Sequence, residues 1–293
     1  MPVEILQPAE WRARAAAHVE RLAPFVEPHL ERRRAGQKHP VHDFLFTYYS
    51  QRPAQLLRWH PGFGAGLLDA PEYERLKGYE VSWLASLAPR PPRAVVSVAQ
   101  VYLEQQRPLI RSIHRLLTAT ASRPAHTGCF GMHEWAMVYR AEETRHPHPL
   151  RLGAAGTDTV VESHRIRCSH FDAFRFFTEQ ARPLNTLSPG RDDRAEFEQP
   201  GCLHAGMDLY KHAFRLTPLV SSDLVADCFE LAWDIRELDM RAAPYDLRPL
   251  GLEPVRVETP EGKQEYAEAQ RRFAQRGEPL RARLIEESAR LLA

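Results

Sequence analysis

Three polar side chains spaced four residues apart could bind a metal ion together. They are His204, Asp208 and His212, and they lie in the otherwise apolar segment CLHAGMDLYKHAFRLTPLV. Side chains four residues apart share one face of an α-helix. Imidazole and carboxylate groups in that arrangement can chelate a divalent metal or orient each other for proton transfer. A polar stripe that hydrogen-bonds to neighbouring helices would explain the same pattern.

A second candidate group lies in GMHEWAMVYR, which has the apolar character of a buried helix. Its adjacent polar residues are His133 and Glu134. A buried glutamate needs a partner or a bound proton, because its charged form is costly to bury. Glu134 is therefore either a general acid with a raised pKa or the ion-pair partner of an arginine such as Arg140 or Arg167.

A third group follows a stretch with alternating polarity. Residues 159–169 are predicted to form a strand that turns Glu162 and His164 inward, because alternate residues of a strand point to opposite faces. The turn after this strand would carry His170 and Asp172 at the start of a helix. These side chains are candidate proton donors and acceptors, and helix capping is the alternative role for His170 and Asp172.

A carboxylate and several aromatic side chains would suit a planar substrate. Asp239 lies in RELDMRAAPYD and could be a catalytic carboxylate held by Arg241. The rings of Tyr48, Trp59 and Trp135 could stack on a planar or cationic ring. A salt-bridge network around Asp239 and an aromatic core are the structural alternatives.

The elements that must position these residues are mainly helical. Apolar residues at helical spacing predict helices over residues 204–217, 222–241, 260–276 and 278–291. Thr259 is a suitable helix cap, and Pro260 suits the first helical position. We expect the 24 prolines to divide the chain into short helices. The predicted fold is one mainly α domain over residues 1–293, with a small β element at about 159–169 and 254–258.

The composition excludes several classes of protein. The 39 basic and 38 acidic residues leave the chain nearly neutral, so its overall charge does not favour nucleic acid or an anionic membrane. The four cysteines are scattered, which argues against a disulfide scaffold or a zinc knuckle. Without a long apolar run or a leader-like start, we expect a cytoplasmic protein with no membrane partner. The sequence contains no Rossmann, P-loop, G-x-S-x-G or kinase signature.

Several long segments are similar to a known bacterial family. The segments are KHPVHDFLFTYYSQRPAQLLRWHPG, GMHEWAMVYR, VVESHRIRCSHFDAFRFFT, PGCLHAGMDLYKHAF and ELDMRAAPYDL. Together they resemble a family common in actinobacteria whose members are labelled 3-methyladenine DNA glycosylase. The resemblance spans residues 38–250. It implies release of alkylated purines from DNA, with the base stacked on aromatic residues and with Glu134 or Asp239 stabilising the cationic sugar.

The residues also support an alternative that is independent of this resemblance. In it, His204, Asp208 and His133 bind a divalent metal such as iron, manganese or zinc, with His164 or His170 available to complete the set. The protein would then be a hydrolase or oxygenase acting on a small molecule. A ligand-binding protein without catalysis is a third interpretation, but burying so many ionisable groups costs stability with no evident structural return.

Overall fold

The computed structural model describes residues 4–84, 92–144 and 146–293. Helices dominate these ranges, which confirms the predicted mainly α fold. The helices are α1 (Pro8–Arg34), α2 (Phe44–Thr47), α3 (Pro53–Leu56), α4 (Gln100–Ala121), α5 (Met132–Ala136), α6 (Gly153–Glu162), α7 (Phe171–Phe174), α8 (Arg194–Phe197), α9 (Leu203–Arg215), α10 (Ser222–Arg241) and α11 (Pro260–Leu292). The strands are β1 (Glu4–Leu6), β2 (Ala65–Leu68), β3 (Tyr79–Leu84) and β4 (Arg93–Val98).

Long helices from the second half of the chain enclose much of the main hydrophobic core. Helix α9 packs against α10 and α11, and α11 also packs along α4. Gly206 permits the close approach of α9 to α10, because a Cβ at this position would lie only 2.8 Å from Cδ1 of Ile235. Tyr210 and Phe229 meet edge to face across the same contact. The polar residues on the facing sides of α9 and α10 are therefore removed from bulk water.

The predicted start of α11 is confirmed, but the predicted break within it is wrong. The Thr259 hydroxyl accepts a hydrogen bond from the backbone N–H of Gly262 at 3.1 Å, and Pro260 occupies the first helical position. Helix α11 then continues through Pro279, and α1 and α4 likewise contain prolines. A proline in a helix removes one backbone hydrogen bond. In α11, buried residues on both sides of the proline, including Gly277 and Leu284, maintain the helix through tertiary packing.

The β structure is a four-stranded sheet in the first third of the chain. Its strand order is β1-β2-β4-β3, with β1 parallel to β2 and the other neighbours antiparallel. Trp11 of α1 covers one face, and its indole N–H donates to the carbonyl oxygen of Leu68 at 3.0 Å. This sheet and the segments around it form a second core that also contains Trp59.

The predicted positions of the small β element are wrong. Residues 153–162 form α6, in which Thr157, Val160 and Val161 are buried at helical spacing. The later part of the predicted strand is irregular apart from one bridge between Ile166 and Asn185. Residues 254–258 are irregular and end in a turn, and Val255 donates its N–H to the carbonyl oxygen of Arg241 at the end of α10. In α6, packing of β-branched residues against the core outweighs their preference for strands.

Candidate metal centre

Two histidines and one aspartate from distant parts of the sequence meet in the interior. They are His133 of α5, His204 of α9 and Asp239 of α10, and one potential ligand atom of each lies within 4.8 Å of those of the other two. Nε2 of His133 lies 2.7 Å from Oδ1 of Asp239. The two imidazole rings are 4.6 Å apart and nearly perpendicular. The cluster combines two imidazoles with a carboxylate, a donor set that divalent transition metals accept.

The short helix α5 is held against α10 by its own buried side chains. The Trp135 indole N–H donates to the carbonyl oxygen of Ala242 at 2.9 Å. Gly131 precedes α5 in the left-handed backbone region, and a Cβ there would lie 3.3 Å from Cβ of Ala242. A glycine therefore suits both the backbone angle and the tight contact. These contacts fix α5 so that His133 faces Asp239 on α10.

The surroundings shift the pKa of each member of the cluster. Burial disfavours ionisation of Asp239, but attraction to His133 outweighs it and holds the pKa of this carboxyl below its ordinary range. For His133 burial acts against protonation, yet the charges of Asp239 and Cys129 raise its pKa well above the ordinary value. Burial, helped by repulsion from His133, lowers the pKa of His204 to about 3. His204 is therefore a neutral imidazole at pH 7, which is the form that binds a metal.

A thiol lies on the other side of the His133 ring. Sγ of Cys129 is 3.4 Å from Nδ1 of His133, so the ring lies between a sulfur and a carboxylate. A hydrogen bond from the Cys168 thiol and the charge of His133 outweigh burial and hold the pKa of Cys129 below its ordinary value. A cavity of about 10 Å³ adjoins these groups and is also lined by Cys202 and His204. That volume is about the size needed to hold one water molecule.

Arg236 contacts two buried carboxylates. Its Nη1 lies 3.3 Å from Oε1 of Glu134 and 3.3 Å from Oδ2 of Asp239. The guanidinium also lies over the ring of Phe44, with Cζ 3.9 Å from the centroid. Glu134 thus has an arginine partner, but it is Arg236 and not Arg140 or Arg167 as predicted.

Asp208 belongs to a neighbouring network and not to the three-residue cluster. Burial opposes its ionisation, but Lys211 and His170 outweigh this and keep the pKa of Asp208 well below the ordinary value. Nε2 of His170 lies 3.4 Å from Oδ2 of Asp208 and 3.4 Å from Oε1 of Glu198. The His170 ring is 5.4 Å from the ring of His204, which brings the two groups side by side.

Asp172 and Tyr48 lie together at the outer edge of this network. The Asp172 carboxylate is 3.2 Å from Nζ of Lys211, which in turn contacts Asp208. Tyr48 and Asp172 line a surface cavity of about 460 Å³. Tyr49 lines the same cavity and donates its hydroxyl proton to Oδ1 of Asp208 at 3.1 Å. A small molecule bound there would contact the polar network that leads inward to His170.

Several of the predicted residues lie outside both groups, among them Glu162, which does not point inward but pairs with Arg140 at the surface. Trp59 and Trp135 are core residues, 2 % and 0 % exposed, and present no free ring face to a substrate. Nδ1 of His164 bonds to the carbonyl oxygen of Val160, in the turn after α6. Arg241 donates to the carbonyl oxygen of Glu253 and does not hold Asp239. These side chains therefore lie apart from the three-residue cluster in this structure.

Sequence reasoning missed two members of the site. The spacing of Cys129 and His133, four residues apart, could have indicated the thiol beside the imidazole. Arg236 precedes Asp239 by three residues, so their proximity on α10 was also accessible from the sequence. The contact of Arg236 with Glu134 was not, because 102 residues separate them.

The chain matches no protein-family model, no curated protein and no solved structure. None of the helices in residues 4–84, 92–144 and 146–293 combines the length and the apolar character of a membrane span.

Proposed function

We propose that the protein binds one divalent transition metal ion through His133, His204 and Asp239, and that it is a metal-dependent hydrolase or oxygenase of a small molecule. The observation that carries the proposal is the convergence of three suitable donors, from three separate helices, within 4.8 Å of one another. In the described part of the chain, the His204 imidazole contacts two other rings but makes no hydrogen bond. The imidazole is half-buried and its lowered pKa keeps it neutral at pH 7, so a ring nitrogen is available to ligate a metal ion.

The donor set and its surroundings suit iron, manganese or zinc. Two histidines and one carboxylate leave coordination positions open, as catalytic sites require. The second ring nitrogen of His133 faces Cys129, and ligating histidines usually bond through this second nitrogen to a neighbouring acceptor. The adjacent cavity could hold a water molecule, and a bound metal of this kind activates water or polarises a carbonyl group.

Metal binding would release the proton of His133, whose pKa is raised in the empty site, because a histidine ligates a metal only as neutral imidazole. Arg236 pairs with Oδ2 of Asp239 and so favours the ionised carboxylate over the protonated acid. His170, beside the His204 ring, connects the centre to Asp208 and thereby to the cavity near Tyr48. A small substrate in that cavity would contact Asp172 and Lys211 of this polar network.

A thiol-dependent enzyme is the second candidate function. The contacts from Cys129 to His133 and from His133 to Asp239 follow the order nucleophile, base and orienting carboxylate. The cavity beside Cys129, about 10 Å³, is too small for the acyl group such a nucleophile would attack. The metal is favoured because its three donors already converge within 4.8 Å, and an ion with one water molecule needs no larger space. Base excision from DNA stays a prediction based on the family resemblance, and the burial of Trp59 and Trp135 removes two of its proposed stacking residues.

The test is the metal content of untagged protein after purification and after incubation with Fe(II), Mn(II) or Zn(II). We expect about one ion per chain in the wild type and a large loss in His204→Gln and Asp239→Asn. His212→Gln is the matched control, since His212 is a buried histidine of the same helix outside the cluster. Wild-type protein that binds none of these metals, or ligand variants that bind as well as the control, would refute the proposal. Activity lost in Cys129→Ser with metal content unchanged would favour the thiol enzyme.

A further inference from the structure

A separate groove between α4 and α11 has a positively charged lining. Its volume is about 860 Å³. Arg123, Arg271 and Arg281 line it together with one acidic residue, Glu278. Nη2 of Arg123 donates a hydrogen bond to the carbonyl oxygen of Ala195. Some of its donors are therefore occupied, but its charge still contributes to the groove. The lining therefore favours a negatively charged ligand.

Arg281 is the most unusual of these arginines. Arg281 is only 3 % exposed, and its Nε and Nη2 atoms are buried without a hydrogen-bond partner. Glu278 and Glu198 raise its pKa, but burial outweighs them and lowers it. Within the described ranges no carboxylate comes within 4.0 Å of its guanidinium, the distance of an ion pair. A buried arginine ordinarily has such a partner, because an unpaired buried charge is strongly destabilising.

The cysteine and glutamate side chains near Arg281 do not fill this role. Glu198 is already paired with Arg194 and lies beside His170. Glu278 is exposed to solvent at the rim of the groove. Cys202 and Cys228 are buried thiols whose pKa values burial raises, so they are neutral. An acceptor for the guanidinium must therefore come from outside the chain.

We propose that this groove binds an oxyanion, a carboxylate or phosphate group, through the guanidinium of Arg281. Arginine presents several N–H donors in a planar fork that matches the oxygens of both groups. Arg271 at the surface and Arg123 at the end of the groove add favourable charge. The site stands apart from the metal cluster and does not depend on it, although the groove wall at Gly201 adjoins Cys202, which lines the cavity beside His204.

The experiment measures binding of inorganic phosphate and of succinate by calorimetry, with chloride at equal ionic strength as the reference. We expect the wild type to bind at least one of the two probes and Arg281→Gln to bind it at least tenfold more weakly. Arg283→Gln is the control, because it removes the same charge from an exposed arginine of the same helix. Phosphate binding without succinate binding, or the reverse, identifies which oxyanion the groove prefers.

Thermal unfolding is a second test, and it distinguishes an Arg281 that binds an oxyanion from one with a purely structural role. The probe should raise the unfolding temperature of the wild type and of Arg283→Gln but not of Arg281→Gln, because a ligand stabilises only the state that binds it. In buffer free of oxyanions, Arg281→Met should unfold at or above the wild-type temperature, since it removes an unpaired buried charge. Absence of probe binding by the wild type, equal binding by Arg281→Gln, or a marked drop in the unfolding temperature of Arg281→Met would each overturn the proposal.

Discussion

Each of the two carboxylate oxygens of Asp239 lies beside a basic side chain. Oδ1 lies 2.7 Å from Nε2 of His133, and Oδ2 lies 3.3 Å from Nη1 of Arg236. The residue is 1 % exposed, so neither interaction is screened by water. A carboxylate in this position can remain ionised in the interior, which is what a metal ligand or a catalytic base requires. The same guanidinium also pairs with Glu134, so two buried acids share one arginine while His133 provides a second partner for Asp239.

Replacing Arg236 should therefore destabilise the fold strongly. We expect Arg236→Met to lower the free energy of unfolding by about 3 kcal/mol or more, because it leaves Glu134 buried without a partner. Denaturant unfolding at pH 7 measures the change. Arg276→Met is the control, since Arg276 pairs with Asp234 at the surface and should cost at most about 1 kcal/mol. A double variant that adds Glu134→Gln should recover part of the loss, and an equal loss in both single variants would show that the buried pair contributes nothing.

At the scale of the elements, the predictions succeeded where one local cause determines the structure. Helices α9 and α10 follow the helical spacing of their apolar residues, and α11 begins at the predicted cap. The strand prediction for residues 159–169 failed because Val160 and Val161 pack against the core in α6, and the residues after α6 are irregular apart from one bridge. The break predicted near Pro279 failed because contacts with other helices, which the local sequence does not encode, maintain α11.

Replacing glycine by alanine should have opposite effects on stability at two positions of α11. A Cβ at Gly262 would lie 1.9 Å from the carbonyl oxygen of Arg256, whereas a Cβ at Gly277 would make an ordinary contact at 3.5 Å with Leu231. We expect Gly262→Ala to destabilise the protein by about 3 kcal/mol. Gly277→Ala should stabilise it by about 0.4–1 kcal/mol, because alanine loses less backbone entropy on folding. Thermal and denaturant unfolding of the two variants provide the comparison, and a similar loss in both would contradict the close contact at Gly262.

At the scale of the whole molecule, the site depends on how three segments pack. The sequence indicated His133, His204 and Asp239 one at a time, but it assigned Asp208 to the metal in place of Asp239. Asp208 shares a helical face with His204, and spacing along a helix is all that the sequence provides. Asp239 reaches the cluster only because α10 packs on α9 near Gly206. The absence of a side chain at Gly206 permits this contact, but the sequence does not show which helix packs there.

Because the cluster joins α5, α9 and α10, metal binding should stabilise the whole fold. A ligand that binds only the folded state adds about 2.7 kcal/mol when its free concentration is 100 times its dissociation constant. We therefore expect protein stripped by a chelator to unfold at a lower temperature than protein reloaded with Zn(II) or Mn(II), in calorimetry at fixed protein concentration. The increase should disappear in His204→Gln and persist in His212→Gln, because only the former lacks a donor of the cluster. If both variants gained the same stability, the stabilising ion would be bound elsewhere, and these three helices would not owe their arrangement to a shared metal.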